Sequence, residues 1–111
     1  MRNWYKDLKN RFSTFPPDVQ ILHTVSDLTK AKHLAAVDRA SATNHVYRAM
    51  ILLDYIIQDP KWESKLGELL RLREAIGSSL FHSKPFVSIE QAISAALLME
   101  PKAYRALRNN S

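Results

Sequence analysis

Two residues with complementary chemistry lie six positions apart near the middle of the chain. They are Arg39 and His45. A guanidinium binds a phosphate through a fork of N–H donors, and an imidazole transfers protons near neutral pH. Together the two side chains could therefore serve phosphate-ester chemistry.

The spacing of this pair resembles the Arg-x4–6-His motif of the small helical HEPN ribonuclease families. The resemblance implies a ribonuclease in which Arg39 stabilises a phosphate and His45 transfers a proton. Those families favour a polar residue beside the arginine, whereas Ala40 stands there in this chain. The alternative interpretation is a capping loop followed by an ordinary half-buried histidine.

Other catalytic and metal-binding patterns are missing from the sequence. No cysteine and only two glycines occur, which excludes disulfides, thiolate zinc sites and Gly-rich phosphate loops. Among the four histidines, only His23 has a carboxylate at the helical i, i+4 spacing, that of Asp27, and zinc generally needs three or four protein ligands. We therefore expect no metal and no cofactor, and nothing in the sequence supports an enzyme.

The C-terminal segment is a second candidate site. Residues 88–109 divide into a helix, a three- or four-residue break near Met99 and Glu100, and a helix with basic residues. This is the outline of a helix-turn-helix, whose second helix enters the major groove of DNA. The candidate nucleic-acid contacts are Lys102, Tyr104, Arg105 and Arg108.

Residues 100–110, EPKAYRALRNN, are similar to the recognition helix of helix-turn-helix antitoxin and repressor families. That helix often reads Ser-x-x-x-x-Tyr-Arg-x-Leu. The families usually have a glycine in the turn, where this chain has Leu97-Leu98-Met99. The alternative interpretation is a pair of amphipathic helices that close a bundle, with basic side chains reaching the surface.

An aromatic N-terminal helix is the third candidate. Residues 1–14 form an expected amphipathic helix, followed by the hinge Pro16-Pro17. Such a helix could dock separately, on its own bundle, on a second subunit or on an anionic membrane surface. The candidate protein-interface residues are Trp4, Tyr5, Leu8 and Phe12.

Hydrophobic spacing is helical almost throughout the 111 residues. We expect an all-α fold, a compact bundle of five to six helices in which residues 1–111 form a single domain. A first helix is expected over about residues 3–13 and a second from Pro17 onward. A third helix is expected to end at Gln58. The helix that ends at Gln58 is apolar on nearly every side, so it should lie at the centre of the bundle or in an oligomer interface.

Polar capping residues and prolines mark the expected starts of these helices. Ser41 or Thr43 is the expected N-cap of the helix that ends at Gln58, and Asp59-Pro60 should start the next one. In that next helix Gly67 would permit a close helix crossing. Ser88 and Gln91 should form a capping box, and Pro101 should start the last helix.

Charge and hydropathy complete the functional expectations. The net charge of +5 is concentrated at the two ends of the chain, which favours an anionic partner such as nucleic acid, or simply a solvated surface. The apolar stretch 46–57 is shorter than the roughly 20 residues that span a bilayer, so no integral membrane span is expected. No signal peptide is recognisable in residues 1–20, and we expect a cytoplasmic protein.

The leading hypothesis is a small non-enzymatic regulatory or adaptor protein that acts through helix-mediated protein association, with a protein partner and a homodimer as expected assemblies. The alternative is a DNA-binding regulator that uses residues 88–109. The third hypothesis is the ribonuclease with Arg39 and His45.

Overall fold

A computed structural model describes residues 4–79 and 89–109. Within these ranges the chain forms α-helices and one 3-10 helix, and no strand. The Cα radius of gyration is 13.7 Å, close to the roughly 13 Å expected of a compact domain of this length. The expectation of a compact all-α single domain is confirmed. The elements are α1 (Trp4–Ser13), α2 (Pro17–Leu34), α3 (Arg39–Gln58), the 3-10 helix (Pro60–Lys65), α4 (Leu66–Ser79), α5 (Ile89–Leu98) and α6 (Pro101–Asn109).

Helix α3 begins earlier than the sequence pattern predicted. Its N-cap is Asp38, whose carboxylate accepts hydrogen bonds from the Ser41 backbone N–H at 3.1 Å and the Ser41 hydroxyl at 2.7 Å. The expected N-cap at Ser41 or Thr43 is therefore wrong, because Ser41 is already inside the first turn as a donor. Both hydrogen bonds from Ser41 hold the pKa of the Asp38 carboxyl below its ordinary value.

The structure of the chain after α3 also differs in detail from the sequence prediction. Asp59 and Pro60 start a 3-10 helix, as a cap and a first-turn proline should, but α4 begins only at Leu66. The expected close crossing at Gly67 is wrong: a Cβ there would meet only the Nη1 atom of Arg71, at 3.6 Å. The close approach lies at Gly77, where a Cβ would come within 3.2 Å of the Met50 Cε atom of α3.

The predicted last helix does start at Pro101. Helix α5 begins at Ile89, so the expected capping box falls partly on Ser88, which lies outside the described residues. The predicted break before α6 is shorter than expected, since only Met99 and Glu100 separate the two helices.

Helices α2 and α3 form the central pair of the bundle. Helices α5 and α6 pack on α2, while α1, the 3-10 helix and α4 pack on α3. The inward face of α3 is completely or almost completely buried, which confirms its predicted central position. The buried residues of α3 are Ala42, Val46, Ala49, Leu52, Leu53 and Ile56.

One buried side-chain amide connects three segments of the chain. Gln20 of α2 has no exposed surface. Its Nε2 donates to the Phe12 carbonyl oxygen at 2.9 Å and to Asp59 Oδ2 at 3.3 Å, and its Oε1 accepts from the Trp62 indole N–H at 2.6 Å. Burial raises the pKa of Asp59, but hydrogen bonds from Lys61 and Gln20 outweigh it and hold that pKa below its ordinary value.

We predict that Gln20→Leu lowers the free energy of unfolding by about 2–4 kcal/mol, because it leaves the Trp62 indole N–H buried without a partner and removes the hydrogen bond that Gln20 Nε2 donates to the Phe12 carbonyl. The control is Gln58→Leu, which removes an exposed hydrogen bond from Lys9 Nζ and should cost less than about 0.5 kcal/mol. Urea denaturation followed by circular dichroism measures both. Equal stability of the two variants would contradict this role for Gln20.

Candidate functional site

The predicted Arg39 and His45 pair does not share a helix face. Arg39 is exposed at the first residue of α3, and His45 is half-buried farther along the same helix. Six residues of α-helix correspond to about 9 Å of rise and to faces roughly 120° apart. His45 instead turns toward α2. The geometry therefore does not favour the ribonuclease interpretation of this pair.

His45 belongs to a different group of polar side chains, the Asp27 cluster, which consists of Asp27, His45 and Arg48. The His45 Nδ1 atom lies 3.0 Å from Asp27 Oδ1, and Arg48 Nε lies 3.4 Å from the same oxygen. The side chain of Asp27 is only 7% exposed, whereas that of Arg48 is 64% exposed. The buried carboxylate of α2 thus faces an imidazole ring and a guanidinium from α3.

The sequence pattern does not predict the Asp27 cluster, because its contacts cross between helices. Spacing within α2 paired Asp27 with His23, but the carboxylate binds residues of α3 that lie about twenty positions later in the chain. The one sequence feature that indicates the cluster is the i, i+3 spacing of His45 and Arg48, which directs both side chains to one side of α3.

A cavity of about 230 Å³ opens beside the Asp27 cluster, between α1, α2 and α3. One wall is aromatic: the ring of His23 stacks on Phe15 with centroids 5.4 Å apart, and Phe12 meets Phe15 edge-on at 5.9 Å. We call this the α1–α3 cavity. Its lining residues are Leu8, Arg11, Phe12, Phe15, His23, Asp27, Arg48, Ile51 and Leu52.

The predicted aromatic interface of α1 is partly used inside the molecule. Phe12 is 2% exposed and packs in the protein's own core, and the half-buried Leu8 lines the α1–α3 cavity. The side chains of Trp4 and Tyr5 lie outside the described part of the structure. Of the four interface candidates, Phe12 is therefore not available to a partner in this conformation.

A larger groove of about 520 Å³ runs between α4 and α5. Buried apolar side chains form its floor, alanines form part of its walls, and Leu98 stands at its edge with 72% of its surface exposed. We call it the α4–α5 groove. Its lining residues are Lys65, Glu68, Arg71, Leu72, Ala75, Ile76, Ile89, Gln91, Ala92, Ala95, Leu98 and Met99.

The C-terminal candidate is a short helix with an exposed basic side. Lys102 and Arg105 are exposed on α6, one turn apart, while Ala103 is fully buried against the bundle. Glu100 accepts a hydrogen bond from the Lys102 backbone N–H at 3.3 Å, in the manner of an N-cap. The side chains of Tyr104 and Arg108 are outside the described part of α6.

Ion pairs connect the outer helices to the central pair. Lys32 of α2 binds Glu90 of α5 at 2.6 Å, and this hydrogen bond lowers the pKa of the Glu90 carboxyl. Arg73 of α4 binds Asp54 of α3, and the hydrogen bond raises the pKa of the guanidinium further. The exposed Lys32–Glu90 pair contributes little stability, typically about 0–1 kcal/mol, whereas the Arg73–Asp54 pair is half-buried and bidentate.

Residues 4–79 and 89–109 contain no candidate metal-ligand cluster and no candidate membrane span. No group of three or more His, Asp or Glu side chains there could hold a metal ion. No helix among the described residues is both long enough and apolar enough to cross a bilayer. No family model, curated protein or solved structure matches the chain.

We predict that His45→Ala lowers the free energy of unfolding by about 1–3 kcal/mol, because the buried Asp27 carboxylate loses its closest donor. His33→Ala, at an exposed histidine of α2, is the matched control and should cost less than about 0.5 kcal/mol. Chemical denaturation of both variants measures the difference. If His45→Ala proves as stable as the control, the Asp27 cluster does not connect α2 to α3 in the way described.

Proposed function

We propose that this protein is a small adaptor that self-associates through the α4–α5 groove. The observation that carries the proposal is Leu98, a large apolar side chain that is 72% exposed beside an apolar groove of about 520 Å³. Soluble monomers expose single apolar residues routinely, but an exposed apolar side chain next to an apolar depression is typical of an interaction site.

Small side chains line part of the groove beside Leu98. Ala75, Ala92 and Ala95 line the groove with small side chains, which allow another helix to approach closely. In a two-fold dimer the same patch serves both subunits, so Leu98 of each copy can enter the groove of the other. A second copy of this chain is therefore the occupant that the patch fits.

The charges around the groove support the same occupant. Lys65 and Arg71 are basic and Glu68 is acidic, so one rim carries both signs within two helical turns, and Lys65 Nζ lies 3.8 Å from Glu68 Oε2 within the chain. A two-fold axis can bring the acidic group of one copy against a basic group of the other. A strongly acidic or basic partner would be matched by only part of this rim.

We predict that the wild-type protein forms dimers and that Leu98→Lys is monomeric. Removing two buried leucines, at about 1.5–3 kcal/mol each, weakens the dimer by more than about 100-fold, and the new ammonium groups oppose burial further. Sedimentation equilibrium over a concentration series measures the shift of mass from 12.7 kDa toward about twice that value.

The control is Val37→Lys, which introduces the same charge at a valine that is 82% exposed in the α2–α3 connection. It should dimerise like the wild type. A wild-type protein that stays monomeric at every concentration, or a Leu98→Lys variant that dimerises as well as the control, would refute the proposal.

A second candidate function is binding of nucleic acid by α6. It is supported by the exposed Lys102 and Arg105, together with the absence of any acidic residue from the sequence of α6. Basic side chains on a protruding helix face neutralise phosphates and release counterions. The two-residue connection before α6 is shorter than the turn of three to four residues typical of a helix-turn-helix, so phosphate contact is favoured over base readout.

For this candidate we predict that Arg105→Ala weakens duplex DNA binding and lowers the slope of log affinity against log salt by about one. Lys30→Ala, at an exposed lysine of α2, should leave the slope unchanged. Fluorescence anisotropy at several salt concentrations measures both. The candidate fails if the wild type does not bind DNA at low salt or if the two variants behave alike.

A further inference from the structure

We propose that the α1–α3 cavity binds a small aromatic carboxylate. The proposal is independent of self-association, because no residue lines both this cavity and the α4–α5 groove. It rests on three features of the cavity: two arginines that line it, an aromatic and aliphatic wall, and a volume that suits a compact ring system.

The arginines supply the recognition of a carboxylate. Arg11 of α1 and Arg48 of α3 both line the cavity and both are exposed. Within residues 4–79 and 89–109 the Arg11 side chain has no hydrogen-bond or ion-pair partner. A guanidinium offers paired N–H donors that match the two oxygens of a carboxylate.

The remaining charge in the cavity is compatible with an anion. Asp27 is the acidic residue in the lining, and its Oδ1 already faces His45 Nδ1 at 3.0 Å and Arg48 Nε at 3.4 Å. With one carboxylate against two guanidiniums the lining carries a positive excess.

The apolar wall and the volume of the cavity determine which ring system the ligand can have. Phe12, Phe15, Ile51 and Leu52 present apolar surface beside the arginines. An apolar cavity of about 150 Å³ accommodates benzene. The volume of about 230 Å³ here therefore suits a two-ring aromatic acid. A flat ring would lie against the aromatic wall while its carboxylate faces Arg11 and Arg48.

The test is isothermal titration calorimetry of the 111-residue protein with 2-naphthoate and with 2-naphthalenemethanol, a neutral molecule of similar size. The carboxylate should bind at least about tenfold more tightly than the alcohol, because only it offers an ionised group with two oxygens to the guanidiniums. Equal affinities would overturn the proposal, and so would the absence of any binding of 2-naphthoate.

Variants assign the binding to this cavity. Arg11→Gln and Arg48→Gln should each weaken 2-naphthoate binding by about tenfold. Arg71→Gln removes an exposed arginine that lines the α4–α5 groove, and it should bind like the wild type. Loss of binding in Arg71→Gln with retention in Arg11→Gln and Arg48→Gln would place the ligand in the groove and overturn the proposal.

Discussion

The fully buried amide of Gln20 is the interaction on which the position of α1 and of the 3-10 helix depends. Its donors bind Phe12 of α1 and Asp59, and its acceptor binds Trp62 of the 3-10 helix that Asp59 caps. In the described residues no buried side-chain nitrogen or oxygen lacks a hydrogen-bond partner. An apolar residue at this position would leave the buried Trp62 indole N–H without a partner and would remove one hydrogen bond each from the Phe12 carbonyl and from Asp59, which is why one amide has so large an effect. Because it holds the Phe12 backbone, Gln20 also positions the aromatic wall of the α1–α3 cavity.

The central α2–α3 pair leaves two depressions of different chemistry. The α1–α3 cavity combines aromatic rings with arginines, and it lies next to the carboxylate of Asp27. The α4–α5 groove is larger and mainly apolar, with charges of both signs at its rim and Leu98 exposed beside it. The first arrangement suits a small anion and the second suits a protein surface. The proposed self-association and the proposed ligand binding use separate parts of one small bundle.

The helical class and several helix ends could be predicted from the sequence, whereas the contacts between helices could not. The periodicity of apolar residues and the positions of prolines predicted the all-α class, the end of α3 and the starts of α2 and α6. The N-cap of α3 was misassigned because Asp38, Ser41 and Thr43 are all good caps, and only the backbone geometry distinguishes them. Amphipathicity identified the face of α1 that carries Phe12 but could not tell whether it covers this bundle or a partner. Likewise, no local pattern pairs Asp27 with His45, and neither depression exists until α1 has packed on α3 and α4 against α5.

The central functional claim is that two copies of the chain meet at the α4–α5 groove. Isotope-filtered nuclear Overhauser spectroscopy on a mixture of labelled and unlabelled protein tests it most directly, because this experiment detects only contacts between copies. We predict cross-copy signals from the Leu98 methyl groups to the methyl groups of Ala92 and Ala95, which line the groove. Cross-copy signals confined to other surfaces, or none under any condition, would contradict the claim.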